Sequence, residues 1–126
     1  MMLADSDVLI DYLRGREPAR DRIALELEHD LATTAVSAFE LLSGAKADRH
    51  LEKVEQLLAA LRILPIDAAA AEAAATVRRQ LESKGRGLAM ADYLIAGVCL
   101  ARSAMLLTRN REHFERVPGL SLGTLG

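Results

Sequence analysis

Aromatic side chains are scarce: two phenylalanines, two tyrosines and no tryptophan in 126 residues. Readers of single strands of the RRM or OB type stack bases on exposed rings, so this composition argues against that class. The core must instead be built from Leu, Ile, Val and Ala. Cysteine is scarcer still. Cys99 stands alone in an apolar run, which leaves no internal disulfide and no cysteine zinc site, and it reads as an inert core thiol. No hydrophobic run approaches a membrane span. The first apolar stretch is short and broken by Asp5, Asp7 and Asp11, which is not the pattern of a secretory leader. The expectation is a soluble, cytoplasmic protein with no membrane partner. Lysine occurs only at positions 46, 53 and 84; the other thirteen basic residues are Arg. Arg grips phosphate with a planar fork, so the bias suits a phosphate ligand, and it suits a GC-rich genome equally well. The net charge of -2 does not by itself mark a nucleic-acid binder.

What is present is an ordinary globular balance, 51% hydrophobic and 27% charged, in a length that allows one core. Residues 1–126 are read as a single domain. Met1–Ala4 reads as a buried strand. Asp7–Arg14 has helical periodicity and stops at Gly15, and Pro18 suits the first turn of a second helix reaching His29. Leu31–Val36 reads as a second strand, with Ser37 as N-cap of a helix ending near Gly44. Asp48–Leu61 is helical and Arg62–Ile66 a third strand. Asp67 caps an alanine-rich helix, Ala68 to about Ser83. Ala89–Ser103 is apolar on most sides and reads as a buried helix. Ala104–Thr108 is a fourth strand, Asn110–Val117 a helical or turn segment, and Leu120–Leu122 a short fifth strand. Short apolar strands alternating with helices predict an α/β fold: a central parallel sheet of four to five short strands between two helical layers. In such folds ligands gather beyond the carboxyl ends of the strands.

Four polar residues sit at those ends. Asp5 closes the first strand, Glu40 lies in the first turn after the second, Asp92 near the start of the buried helix, and Asn110 just after the fourth strand. Each has a structural explanation. Ser37-x-x-Glu40 fits a capping box, Asp92 suits a helix dipole, and Asn110 suits a turn. Asp5 is hardest to dismiss, because a carboxylate ending a buried strand costs desolvation. Together, three carboxylates and an amide suit a hard cation such as Mg²⁺ or Mn²⁺.

These residues lie in four segments that resemble the PIN-domain family, and VapC-type toxin ribonucleases within it. The segments are Leu3-Ala4-Asp5-Ser6-Asp7-Val8-Leu9-Ile10-Asp11, Ser37-Ala38-Phe39-Glu40-Leu41-Leu42-Ser43-Gly44, Met90-Ala91-Asp92-Tyr93-Leu94-Ile95-Ala96, and Leu107 through Leu120. They stand in the family's order and cover the whole chain. The resemblance implies a three-layer PIN-like domain with Asp5, Glu40 and Asp92 as an acidic triad. Asn110 falls where many relatives carry a fourth acid and others Asn. It further implies a Mg²⁺- or Mn²⁺-dependent endoribonuclease whose activated water attacks the phosphodiester. Asp5 and Asp92 would hold the metal, with Glu40 and Asn110 contributing directly or through water.

In the same reading Ser6, Ser37 and Thr108 would orient ligands or waters, and Arg14, Arg109 and Arg111 could hold the RNA backbone. A solvated face explains those arginines as well. Asp11 can pair with Arg14, Asp7 could stand behind the ligands, and His113 is read as packing a turn. Implied partners are RNA, a cognate VapB-like antitoxin and a second copy of the chain as a homodimer. Leu13, Ile23, Leu41 and Leu42 are candidates for the antitoxin groove. The alternative is a PIN-like domain that binds RNA or antitoxin without cutting. A phosphoacceptor receiver domain and a haloacid-dehalogenase-like phosphatase both need a late lysine, and none follows Lys84.

Overall fold

The computed structural model describes residues 1–126. Five strands form one sheet: β1 (Met2–Ala4), β2 (Leu31–Thr34), β3 (Arg62–Leu64), β4 (Met105–Leu107) and β5 (Ser121–Leu122). Seven helices connect them: α1 (Ser6–Leu13), α2 (Ala19–Leu27), α3 (Ala35–Gly44), α4 (Asp48–Ala59), α5 (Ala68–Ser83), α6 (Met90–Arg102) and α7 (Arg111–Phe114). The order across the sheet is β3-β2-β1-β4-β5, and every pairing is parallel. The three-layer α/β/α arrangement predicted from the alternation of elements is the one that forms.

Successive strand residues feed opposite layers, as a pleat requires. Leu3, Ala32 and Leu106 enter one core with Ala70, Ala74, Val77 and Leu81 of α5 and Ile95, Val98 and Cys99 of α6. Ala4, Leu31 and Leu107 enter the other with Val8, Leu9, Ile23, Leu41, Val54 and Leu58. Both faces of the sheet are therefore covered, which is why β1 and β4 read as unbroken apolar runs. Burial pushes the Cys99 thiol up to about 12, so it remains an inert core group. No helix is long and apolar enough to cross a membrane.

The elements are shorter than their apolar runs. β2 stops at Thr34, two residues before the predicted end, because the Thr34 hydroxyl accepts from Ser37 N at 3.1 Å and caps α3. Ser37 is therefore not the N-cap, and the capping box with Glu40 does not form. β4 contributes three residues, matching the three-residue edge that β1 offers, and β3 contributes three against Ala32, Thr33 and Thr34 of β2. Asp67 caps α5 as predicted, accepting from Ala70 N at 2.9 Å. α5 and α6 form the most extensive helix pair of the fold. The buried positions of α5 (70, 74, 77 and 81) lie on one stripe, and its small end, Ala70 and Ala74, meets Gly97 of α6. The alanine richness of this segment thus reflects a close helix–helix approach as well as helix propensity.

Candidate active site

The chain runs from β1 outward to β2 and β3, then crosses to place β4 on the other side of β1. That reversal opens a crevice beyond the carboxyl ends of β1 and β4, the usual ligand position of an open α/β sheet. Asp5 stands at the end of β1 and Thr108 at the end of β4. Asp5 N donates to Leu107 O at 2.9 Å, which extends the ladder to the edge of the crevice.

Asp5 does two jobs there. One carboxylate oxygen caps α1 by accepting from Ser6 N at 2.8 Å. The other accepts from the buried Thr108 hydroxyl at 2.9 Å. The same hydroxyl lies 3.4 Å from Asp7 Oδ2 and accepts from Asn110 N at 3.0 Å. One proton cannot satisfy two carboxylates, and the shorter contact goes to Asp5. Asp7 also accepts from Arg109 N at 3.1 Å, while its Oδ1 is buried with no hydrogen-bond partner.

The electrostatics follow from this crowding. Asp5 is pushed up to about 7, chiefly by burial and then by the charge of Asp7, against the Thr108 and Ser6 hydrogen bonds; Asp92 adds a further upward push. Asp7 is raised by burial despite its bonds to Arg109, Val8 and Thr108. Asp92 is raised by burial, opposed by His113 and reinforced by Asp7. Three carboxylates thus share a poorly solvated space, each disfavouring the charge of another.

The predicted residues divide. Asp5 and Thr108 meet at the crevice, and Asp92 lies near enough to raise Asp5 electrostatically. Ser6 is there too, and its hydroxyl donates to Glu40 Oε1 at 3.1 Å. Glu40 itself is exposed and stands at the rim. Asn110 does not turn its amide inward: Nδ2 lies 2.9 Å from His113 Nδ1, which is 3.7 Å from Asp92 Oδ2. His113 therefore faces the site and is more than turn packing. Ser37 is buried and its hydrogen bonds go to Thr34, not to the acids.

Arg111 donates to Gly123 O at 2.6 Å and so ties down the C-terminal segment, a different task from gripping RNA. Arg109 is taken by Asp11, with Nε 3.2 Å from Oδ2, so the expected Asp11–Arg14 pair does not form. Arg14 sits just past the end of α1, exposed and unpaired. Of the groove candidates, Ile23 and Leu41 belong to the core, whereas Leu13 is half-buried and Leu42 exposed. The residue undervalued by sequence reasoning is Asp7. Its signal was present, an acid one residue into the helix that Asp5 caps.

Arg109 fixes the Asp7 side of the site from two directions, backbone and side chain. Asp11 is buried and its Oδ1 already lacks a partner. Arg109→Ala is therefore expected to lower stability by about 1–2 kcal/mol, a discounted figure because the arginine is half-exposed. A thermal melt checks this; an unchanged midpoint would mean the pair contributes nothing.

No three carboxylate, imidazole or thiol groups stand closed around one point. The donor set is nevertheless that of a hard cation: all oxygen, carboxylate-rich and mutually repelling, with the orphan Asp7 Oδ1 lacking any donor. Mg²⁺ and Mn²⁺ commonly take one or two carboxylates and fill the remaining positions with water and phosphate oxygens. An open cluster of this kind fits such an ion.

The fold and this acidic crevice define a class, and the chain belongs to the PIN-domain family, whose model matches residues 2–120. Within that class it is similar to Ribonuclease VapC10 of Mycobacterium tuberculosis, 36% identical over 115 residues, covering 90% of this chain and 86% of the relative. It is 29% identical over 123 residues to the tRNA(fMet)-specific endonuclease VapC of Shigella flexneri, covering 94% and 92%. Among solved structures, the DNA-bound VapBC complex of Salmonella typhimurium contains a chain that superposes with a TM-score of 0.90 at 28% identity, covering 99% of this chain and 98% of that one.

Proposed function

We propose that this chain is a divalent-metal-dependent endoribonuclease, the VapC-like toxin of a toxin–antitoxin pair. The observation that carries the reading is the clustering of Asp5, Asp7 and Asp92 at the β1/β4 crevice with too few protons and donors to satisfy them. Its relatives named as VapC ribonucleases set the substrate class. Asp5 and Asp92 would hold the cation, with Asp7 supplying the charge that Asn110 does not. Glu40 would take part through water or substrate at the rim. When bound, the cation supplies charge neutralisation at the phosphate and activation of a water.

The chain's own residues prepare that chemistry. Thr108 orients Asp5 and, through Asn110 N, fixes the turn after β4. Ser6 steers Glu40 toward the crevice. His113 stands beside Asp92, with Nδ1 3.7 Å from Oδ2, and opposes the upward shift of that carboxyl. With a cation held by Asp5 and Asp92, these residues would act on the phosphodiester backbone, the part of RNA common to every sequence. A VapB-like antitoxin as partner is supported by structural neighbours that are VapBC complexes. A homodimer and a cytoplasmic location are carried over on the same family grounds.

The alternative of binding without cutting rests on the neutral amide of Asn110. Asp7 weakens it by restoring a third carboxylate to the crevice itself. The deciding experiment is cleavage of RNA by purified protein with Mn²⁺ and with EDTA, beside Asp5→Ala. Loss of at least ~100-fold is expected for the variant and for EDTA, in line with the loss of a ligand compared with that of an outer partner. Equal cleavage by both proteins would trace the activity to a contaminant.

A further inference from the structure

We infer that a basic groove between α1 and the start of α4 carries the RNA backbone away from the acidic crevice, an inference that rests on the nuclease reading. The groove holds about 450 Å³, with Arg14, Arg49, His50 and Lys53 set over a floor of Ile10 and Leu13. A second cavity of about 90 Å³ shares Ile10, Arg14 and His50 with it and reaches Glu40. Glu40 in turn is held by Ser6, the neighbour of Asp5. The two cavities therefore adjoin and run from Glu40, at the rim of the crevice, to Lys53.

Its cations are free. Every ion pair of the fold involves other basic residues: Arg20, Arg22, Arg62, Arg78, Arg102, Arg109, Arg111 and His113. Arg14, Arg49 and Lys53 have no carboxylate partner, in a chain whose overall charge is -2. Three cations without carboxylate partners gathered on one concave surface suit a polyanion, and the reaction at the adjoining crevice requires one that extends beyond the bond being cut. Phosphates flanking that bond supply the charge, and the Ile10–Leu13 floor offers an apolar face to ribose or base. Binding to such a surface releases counterions and falls with salt.

The test is fluorescence anisotropy with a labelled single-stranded RNA dodecamer in EDTA across a salt series. Arg49→Ala/Lys53→Ala is expected to weaken binding about tenfold and to flatten the log K against log salt slope by roughly 1.4, about 0.7 per lost contact. The charge-preserving Arg49→Lys/Lys53→Arg should restore both, and both residues are exposed, so melting should not move. Unaltered affinity and slope would overturn the groove, as would a wild-type protein that binds no RNA. Variants that keep RNA affinity but lose binding of an Asp/Glu-rich peptide would assign the groove to a protein partner and likewise overturn it. Mn²⁺-dependent cleavage by wild type judges the nuclease reading separately: groove-dependent binding without cleavage would sink that reading alone.

Discussion

In EDTA at pH 8, Asp5→Asn is expected to melt at a higher temperature than the parent chain, and the gap should close as the pH falls toward 4. The sign follows from linkage. Asp5 titrates near 7 in the fold and at about 3.8 when free, so between those values the folded state binds more protons than the unfolded one. Its contribution is neutral below pH 4, becomes steadily unfavourable as the pH rises, and is fully unfavourable above 7. The shift corresponds to at most roughly 4 kcal/mol. An Asn at this position can still accept from Ser6 N and retain the cap. Mn²⁺ should raise the melting temperature of the parent at pH 8 more than that of the variant. A parent chain whose stability is flat from pH 4 to pH 8 would show that the Asp5 carboxylate is well solvated and the crevice is not strained.

Gly97→Ala should be among the most damaging small substitutions in the chain. An added Cβ would press into Ala70 O and stand 2.8 Å from Ala74 Cβ and 3.0 Å from Ala74 N. Those are largely backbone groups of a packed helix and cannot swing aside. Overpacking of this kind costs about 3 kcal/mol, roughly 10 °C in melting temperature for a domain of this size. α6 would have to shift away from α5, and Asp92 rides on its first turn, so cleavage should fall as well. Gly44→Ala is the control: nothing lies within 4 Å of its added Cβ, and it should be neutral or slightly stabilising. Equal melting of the two variants would mean that α5 and α6 are not in the contact described.

Much of this architecture is legible in the residues. β1 and β4 are legible because strands covered on both faces carry no polar interruptions, whereas β2 ends in two buried threonines and β3 opens on an exposed Arg62. Asp67 announced a helix start because its only local task is to cap. Legibility stops where one residue type serves two ends. Ser37 and Thr34 are both credible caps, and only the position of β2 against β3 decides for Thr34. Asp11 had a cation three residues away in Arg14. The preferred partner, Arg109, lies 98 positions on and is reached only once β4 lies beside β1. Asn110 points to His113 for a local reason: its backbone N–H is committed to Thr108, and its amide meets the ring three residues on. Asp5 and Thr108 are legible as crevice residues because strand ends are few, and Asp92 because it opens a helix otherwise apolar on most sides. Asp7 was undervalued because an acid in a first helical turn already has a sufficient local explanation.

Asp5 both starts α1 and charges the crevice, and the two tasks differ in whether charge is needed. An amide can begin the helix, but it cannot bring charge to a cation. Selection for heat resistance alone would thus favour the neutral side chain and yield rugged, inert proteins. On the proposed reading, the acid at position 5 exchanges robustness of the fold for the charge that a cation needs.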